Sequence, residues 1–157
     1  MVELRQWTPD DAAALNEAVA VSLEHLRPWM PWASEPPMSV AARRRWIAER
    51  RREARGGGDR FYGAFEDGAI VGAGGLHARL GPGALEIGYW THVDHVRRGV
   101  ASAIVRRLCE LAFAEPRVAH VEIHHDVDNV ASGAVARRAG FTDLGVTGSE
   151  RIWRLSR

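Results

Sequence analysis

The residues best suited to chemistry lie between positions 84 and 102. An alternating stretch, Ala84–Thr91, is typical of a strand, and the apolar spacing from Val100 onward is typical of a helix. Arg97, Arg98 and Gly99 lie between the two. A helix that opens directly after a glycine-bearing loop presents unpaired backbone N–H groups and the positive end of its dipole, which together bind phosphate. The segment therefore predicts a phosphate site, although a plain turn joining strand to helix also explains it.

Other phosphate-binding motifs are excluded because the chain lacks residues that they require. The dinucleotide fingerprint needs glycine at its sixth place, where the run that starts at Gly72 has His77, and a strand rather than a helix follows. The chain contains no lysine. The absence of lysine excludes the phosphate-binding P-loop, Schiff-base chemistry and pyridoxal phosphate catalysis.

Length and composition predict the class of protein. A chain of 157 residues with 46% hydrophobic and 26% charged residues is expected to form one globular domain over residues 1–157. A net charge of +1 gives no general attraction to nucleic acid or anionic lipid. Cys109 is the single cysteine, and no run approaches the about 18 apolar residues of a membrane span. We therefore expect a cytoplasmic protein without a membrane partner.

The elements that position this segment follow from periodicity and turn residues. Strands are predicted at 2–7, 61–65, 70–80, 84–91 and 118–125 and again from 141 to the end, and helices at 8–26, 39–55, 100–114 and 131–139. Asp67 and Gly68 predict a hairpin turn, because Asp-Gly supplies the positive φ that tight turns need. This order of strands and helices predicts one α/β (α+β) domain with a mixed sheet.

Four separated motifs resemble the GNAT superfamily of N-acyltransferases over nearly the whole chain. The acyl-CoA motif of that family is Gln/Arg-x-x-Gly-x-Gly/Ala; Gly99 and Ala101 match its last two marked places, while Val96 stands where Gln or Arg is expected. The second signature is similar to 128–132 followed by 136–141. Residues 87–90 and 26–32 resemble the RimJ/RimL-like branch, which acetylates protein N-termini and other amines.

The resemblance implies a mostly antiparallel mixed sheet flanked by helices, in which two parallel central strands, 84–91 and 118–125, splay apart. Acetyl-CoA would insert its pantetheine arm into that gap and seat its pyrophosphate on the loop before the third helix. Backbone N–H groups near Thr91 to Val93 would hold its thioester carbonyl. No metal is expected. The implied cofactor-binding residues are Thr91, His92, Val93, Arg97, Arg98, Gly99, Val100, Ala101, Ser102, Asn129 and Ser132.

Two side chains are the implied catalytic groups. Glu86 is the first candidate for the base that deprotonates the acceptor amine, and His77, Glu122 and His124 are weaker candidates. Glu86 could also be an ordinary strand carboxylate. Many relatives protonate the leaving thiolate with a tyrosine seven residues after the asparagine, but this chain has alanine there, which leaves Ser132 as the candidate near the sulfur.

Several residues have competing interpretations. Asn129 and Ser132 could simply cap the following helix. Trp29 and Trp32, in a proline-rich loop, could form a lid on the core or, with His77 and Glu86, the acceptor site. The arginine run at 43–55 is interleaved with glutamates, as on a solvated helix face. His120 and His124 lie about 13 Å apart on a strand, too far to share a metal. Cys109 is expected to be a buried, inert thiol.

The sequence therefore predicts an acetyl-CoA-dependent N-acetyltransferase that acts by direct attack in a ternary complex. The acceptor would be a protein N-terminus or a small amine, and the protein a monomer or homodimer. A catalytically silent acyl-CoA-binding domain is the alternative, since Val96 and Ala136 replace two family residues. A nucleic-acid module using the arginine helix is a third hypothesis, and it predicts binding that collapses with salt.

Overall fold

The structure, a computed structural model, describes all residues from 1 to 157. One sheet of seven strands runs through the molecule in the order β1-β2-β3-β4-β5-β7-β6. The strands are β1 Glu3–Gln6, β2 Arg60–Glu66, β3 Ala69–His77, β4 Ala84–Thr91, β5 His120–Asp126, β6 Thr142–Thr147 and β7 Glu150–Ser156. The helices are α1 Ala12–Leu26, α2 Val40–Arg55, α3 Val100–Phe113 and α4 Val130–Arg138. No helix combines the length and the apolar character that a membrane crossing requires.

The pairing of β4 with β5 is parallel, and every other pair of neighbouring strands is antiparallel. Parallel neighbours need a crossover, and α3 supplies it between β4 and β5. The mixed, mostly antiparallel sheet with a central parallel pair confirms the predicted fold class.

Side-chain caps determine where the first two helices begin. The Asp11 carboxylate accepts hydrogen bonds from both the backbone N–H and the hydroxyl of Thr8, which closes a short 3-10 turn at Pro9–Asp11 before α1. The α-helix therefore begins at Ala12, four residues after the predicted start. The Ser39 hydroxyl accepts the N–H of Ala42 and caps α2, as predicted.

The sheet carries a hydrophobic core on each face. Ile104 and Leu108 of α3 are fully buried in the larger core, which α4 completes. On the opposite face, Leu15 of α1 and Ile47 of α2 pack with Trp7 over the sheet. Burial of apolar area stabilises the fold by about 25 cal/mol per Å², so both helical layers are held firmly on the sheet that carries the site.

One predicted boundary is wrong in a way that matters for the site. β3 ends at His77 rather than at residue 80. The Asp59 carboxylate accepts the N–H of Ala78 at 2.9 Å and also contacts His77, so it turns the chain away from the sheet.

Cys109 lies half-buried on α3. Burial, with a smaller contribution from the neighbouring Glu110, raises the pKa of its thiol to about 11. The thiol is therefore protonated at neutral pH, which agrees with the expectation of an inert cysteine.

Candidate active site

The central parallel strands separate halfway along their length. Their register runs from Ala84 opposite His120 to Ile87 opposite Ile123 and stops there, although β4 continues to Thr91 and β5 to Asp126. Each strand keeps its outer partner beyond that point, β3 for β4 and β7 for β5. The result is a wedge between two strands of one sheet, at the position where the resemblance implies it.

The wedge exposes backbone groups of β4. The N–H of His92 donates to the Val71 carbonyl at 2.9 Å, so this pair is hydrogen-bonded across the antiparallel ladder. Because such pairs alternate along a ladder, Tyr89 and Thr91 direct their N–H and C=O groups to the other edge, from which β5 has diverged. Fixed polar groups that face a gap can pair with the amides of an extended ligand.

Two of the predicted backbone donors are already engaged. His92 N–H bonds Val71, and the N–H of Val93 donates to the buried hydroxyl of Ser22 at 3.1 Å. The expectation that these two groups are free to hold a thioester carbonyl is therefore not met. The backbone N–H groups of Thr91 and Tyr89 face the wedge and remain available to a ligand.

The N-terminus of α3 lacks the side-chain cap that α2 and α4 possess. Gly99 is its N-cap, with a φ of +76° that favours glycine, and no side chain accepts a hydrogen bond there. The N–H groups of Val100, Ala101 and Ser102 have no acceptor within the chain. Arg97 and Arg98 are exposed just before this turn. Free donors, a helix dipole and two arginines are together suited to binding an anion such as a diphosphate.

The N-terminus of α4 lies against the other side of the wedge. Asn129 caps this helix by accepting the N–H of Ser132 at 3.3 Å, so the capping interpretation of Asn129 is confirmed. The hydroxyl of Tyr89 donates to the Ser132 Oγ at 3.1 Å. Burial raises the pKa of Tyr89, and the hydrogen bond to Ser132 offsets part of this. Ala136, where many relatives carry tyrosine, is fully buried in the core.

Glu86 lies on the opposite face of β4, in a polar pocket. Its side chain is 16% exposed, and its carboxylate is 3.3 Å from the Arg79 guanidinium and 3.6 Å from Nδ1 of His124. Across the β3–β4 ladder it stands directly opposite His77. Glu86 and Trp90 share this face of the strand, as their alternation predicts.

Glu122 is the neighbour of Glu86 on β5 and has a different environment. It accepts hydrogen bonds from Nε2 of His124 at 2.8 Å and from the Arg154 guanidinium at 2.7 Å. Burial alone would raise the pKa of Glu122, but these hydrogen bonds outweigh it and hold the pKa below its usual value. A carboxylate with these partners is a weak base. The Glu86 carboxylate has only the longer contacts with Arg79 and His124.

His77 is held in one orientation by Asp59. Nδ1 of His77 lies 2.9 Å from the Asp59 carboxylate. Burial works against ionisation of Asp59, but the hydrogen bonds from His77 and Ala78 keep its pKa low. An ionised carboxylate only accepts, so Nδ1 carries the proton and Nε2 of the neutral ring is an acceptor. A Cβ at Gly75 or at Gly88 would lie only 3.0 or 3.1 Å from Nε2, so both glycines keep room for the imidazole.

These groups line a continuous cleft of about 950 Å³. Tyr89 and Ser132 lie at one side of it and His77 and Glu86 at another. The remaining wall is aromatic: the rings of Trp32 and Trp90 are 6.2 Å apart, and Trp29, Trp46 and Phe61 complete it. Trp29 and Trp32 are each 37% exposed, so they border the cleft rather than close the core.

The predicted acceptor residues Trp29, Trp32, His77 and Glu86 line one part of this cleft, called the acceptor end below, and Asn129 and Ser132 line it as well. Residues 91–93 and 97–102 are not part of its lining; they lie where β4 leads into α3. No group of three or more metal-ligating side chains is positioned to hold a metal ion. Two contributors were missed from the sequence, Asp59 and Tyr89. Tyr89 lies in the stretch 87–90 that resembles the family, but the resemblance gives it no role, and each of the two residues contacts a partner distant in the chain.

Comparison with known proteins agrees with this geometry. The model of the acetyltransferase (GNAT) domain matches residues 2–142. A Bacillus subtilis (strain 168) protein described as "Putative ribosomal N-acetyltransferase YdaF" is 30% identical over 146 residues, which are 92% of this chain and 79% of that protein.

Two solved structures share the fold. RimL, the ribosomal L7/L12 alpha-N-protein acetyltransferase in complex with coenzyme A, superposes with a TM-score of 0.87 at 23% identity, over 99% of this chain and 93% of that one. The crystal structure of a "Probable acetyltransferase" superposes with a TM-score of 0.88 at 27% identity, with the same coverage. These findings confirm the resemblance to the RimJ/RimL-like branch and support the enzyme hypothesis over the binding-only alternative. The family model and the Bacillus relative each match most of the chain, so the protein belongs to the GNAT acetyltransferase family and is an N-acetyltransferase.

Proposed function

We propose that this N-acetyltransferase transfers the acetyl group of acetyl-CoA to a primary amine, with the N-terminus of a protein as the preferred acceptor. The observation that carries the proposal is the parallel ladder of β4 and β5, which stops at Ile87 and Ile123 and leaves a wedge beside a large cleft. The names of YdaF and RimL, both of which refer to ribosomal N-acetyltransferases, support this class of acceptor.

Acetyl-CoA fits the polar groups on both sides of the wedge. In the proposal the pantetheine amides pair with the backbone groups of Tyr89 and Thr91. The diphosphate accepts hydrogen bonds from the free N–H groups of 100–102 and lies within reach of Arg97 and Arg98. Asn129 and Ser132 contact the cofactor near its sulfur.

Glu86 is the proposed base. The acceptor arrives as an ammonium ion, and the Glu86 carboxylate takes one proton, directly or through a water, so that the amine nitrogen can attack the thioester carbon. When the His77 ring is neutral, its Nε2 accepts a hydrogen bond from the same amine and orients the amine for attack. The position of His77 opposite Glu86 in the ladder supports a shared role at one nitrogen.

Ser132 and Tyr89 are the proposed groups for the leaving sulfur. As the C–S bond breaks, negative charge develops on the sulfur, and the Ser132 hydroxyl donates to it. The Tyr89 hydroxyl in turn donates to Ser132 and stabilises the serine as a donor. The acceptor nitrogen loses its second proton as the amide forms. The Ser132 hydroxyl gives its own proton to the thiolate and takes up this second proton in its place, so both hydroxyls end neutral.

The test is acceptor-dependent release of the CoA thiol. With acetyl-CoA present, we expect release with peptides that have a free N-terminus and none with the same peptides after N-terminal acetylation. The melting temperature should rise with acetyl-CoA alone, and repeating both assays with longer acyl chains measures acyl preference. Stabilisation by acetyl-CoA without release from any peptide or small amine would contradict the proposal and favour a silent binding domain.

A further inference from the structure

Arg43 on α2 is a cation without a counter-ion. The other partly buried arginines, except Arg51, have a carboxylate within 4.0 Å: they are Arg50, Arg60, Arg151 and Arg154. Arg51 donates to the backbone carbonyl of Trp7 and does not itself line the cleft. Arg43 has no carboxylate partner, and burial lowers the pKa of its guanidinium.

The Arg43 side chain is nonetheless held in place from two sides. Its Nε donates to the Asn16 Oδ1 at 2.8 Å, and Asn16 is itself oriented because its amide donates to the Met38 carbonyl at 3.0 Å. Its guanidinium carbon lies 5.1 Å from the centre of the Trp46 ring. Both supports are neutral, so they orient the cation without neutralising it, and its two terminal nitrogens have no hydrogen-bond partner in the chain.

Arg43 lies on the wall of the acceptor end of the cleft. Three successive contacts lead from it to the reacting end: 5.1 Å to Trp46, 5.3 Å from Trp46 to Phe61 and 5.4 Å from Phe61 to His77. An extended peptide adds about 3.3–3.6 Å per residue. A short peptide whose amine is at His77 can therefore reach Arg43 with one of its first side chains.

We propose that Arg43 forms an anion subsite for the acceptor and binds a carboxylate or phosphate that lies a few residues from the amine. The inference rests on the proposed function, because it takes the amine to react at His77 and Glu86. The terminal nitrogens of a guanidinium match the two oxygens of a carboxylate or phosphate, and pairing would return to Arg43 the counter-charge that it lacks. Acceptors that carry a cationic side chain near the amine, and no anionic one, should bind less well because Arg43 is itself a cation.

The test uses pairs of short peptides with a free N-terminus. Each pair differs by Glu against Gln, or by phosphoserine against serine, at the second, third or fourth residue. For at least one position the wild-type protein should prefer the anionic peptide by about 10-fold or more in kcat/KM, since a charge-assisted hydrogen bond contributes at least that factor. The Glu and phosphoserine series distinguish an acidic side chain from a phosphate.

Two variants separate binding of an anion from a purely structural role. Arg43→Gln should remove the preference. Asn16→Asp should remove it as well, because an aspartate would give Arg43 an internal counter-ion while the arginine stays in place. Arg44→Gln is the matched control, since Arg44 is exposed on the same helix and makes no side-chain hydrogen bond or ion pair. Equal melting temperatures would show that each variant is folded.

Binding of the same peptides, measured by calorimetry in the presence of CoA, tests the anion subsite separately from the proposed acetyl transfer. A wild-type protein that acetylates both members of every pair equally overturns the anion subsite and leaves the function intact. A preference in binding without any acetyl transfer overturns the proposed function and supports the subsite. Equal binding of every pair overturns the subsite whether or not transfer occurs.

Discussion

The hydroxyl of Tyr89 donates a hydrogen bond to the Ser132 Oγ across the wedge between β4 and β5. Tyr89 faces the α3 and α4 side of the sheet because it alternates with Glu86 and Trp90, and α4 begins where Asn129 caps it, which brings Ser132 to the same place. Ala136, the position at which many relatives have a tyrosine, is occupied by core packing. A tyrosine hydroxyl thus lies beside Ser132, but it comes from strand β4 rather than from helix α4.

The two hydroxyls should act as one unit. We expect Ser132→Ala to lower kcat by about 10-fold, as loss of a hydrogen bond to a developing charge does, and Tyr89→Phe to lower it somewhat less. The double variant should be little worse than Ser132→Ala alone, because Tyr89 acts through Ser132. Steady-state rates of thiol release measure all three. Fully additive losses would show that the residues act separately.

Replacing Glu86 by Gln should remove the base without disturbing the cofactor. We expect kcat at pH 7 to fall by about 100-fold or more, while the dissociation constant of acetyl-CoA stays the same. The difference in kcat between wild type and Glu86→Gln should become smaller as the pH rises above about 8, because the α-amine of the acceptor is then neutral without a base. Glu3→Gln, on an exposed edge of the sheet, is the control. Unchanged turnover of Glu86→Gln would reject the assignment.

Asp59→Asn should weaken the hydrogen bond that fixes the orientation of the His77 ring. An amide can donate as well as accept, so the ring loses its fixed tautomer and Nε2 is no longer always an acceptor. The expected result is a fall of about 10- to 100-fold in kcat/KM for the acceptor with no change for acetyl-CoA. Asp67→Asn in the β2–β3 turn provides the comparison. Equal values of kcat/KM for the acceptor in Asp59→Asn and Asp67→Asn would contradict the role of Asp59 in positioning His77.

Glu122 should contribute stability that depends on pH. Its folded-state pKa is lowered by His124 and Arg154, so its contribution is present above the unfolded pKa of about 4.3 and is lost as the pH falls through the folded pKa. Glu122→Gln should therefore reduce the free energy of unfolding at pH 7 by about 1–3 kcal/mol. This value is below that of a fully buried pair because Arg154 is 42% exposed.

Denaturant titrations at pH 7 and pH 3 measure this effect. The difference between wild type and Glu122→Gln should shrink at the lower pH, where the carboxyl of the wild type is protonated too. Glu110→Gln on the exposed face of α3 should change little at either pH. A difference that grows on acidification would mean that the stability attributed to the carboxylate has another source.

Much of the site was predictable because it depends on local patterns. The alternation of β4 predicts that Glu86 and Trp90 share a face, and Gly99 before an apolar helical repeat predicts the uncapped N-terminus of α3. Both features use residues that are close in the chain. The fold class followed in the same way, from the order of strands and helices.

The contacts that could not be predicted join residues far apart in the chain. Tyr89 and Ser132 are 43 positions apart, and Val93 and Ser22 are 71 apart. These contacts depend on the register of the sheet and on how the helices pack. Neither can be predicted from the spacing of apolar residues in the sequence. The contact of Val93 with Ser22 engages one of the two predicted donors after Thr91, and the other, His92, is engaged by Val71.

The wedge can be tested directly by amide hydrogen exchange, followed by NMR, with and without saturating acetyl-CoA. The amides of Tyr89 and Thr91, and those of residues 100–102, should exchange more slowly once the cofactor is bound. Those of His92 and Val93, already bonded to Val71 and Ser22, should change little. Unchanged exchange at Tyr89 and Thr91 under saturation would mean that the cofactor arm does not enter between the strands.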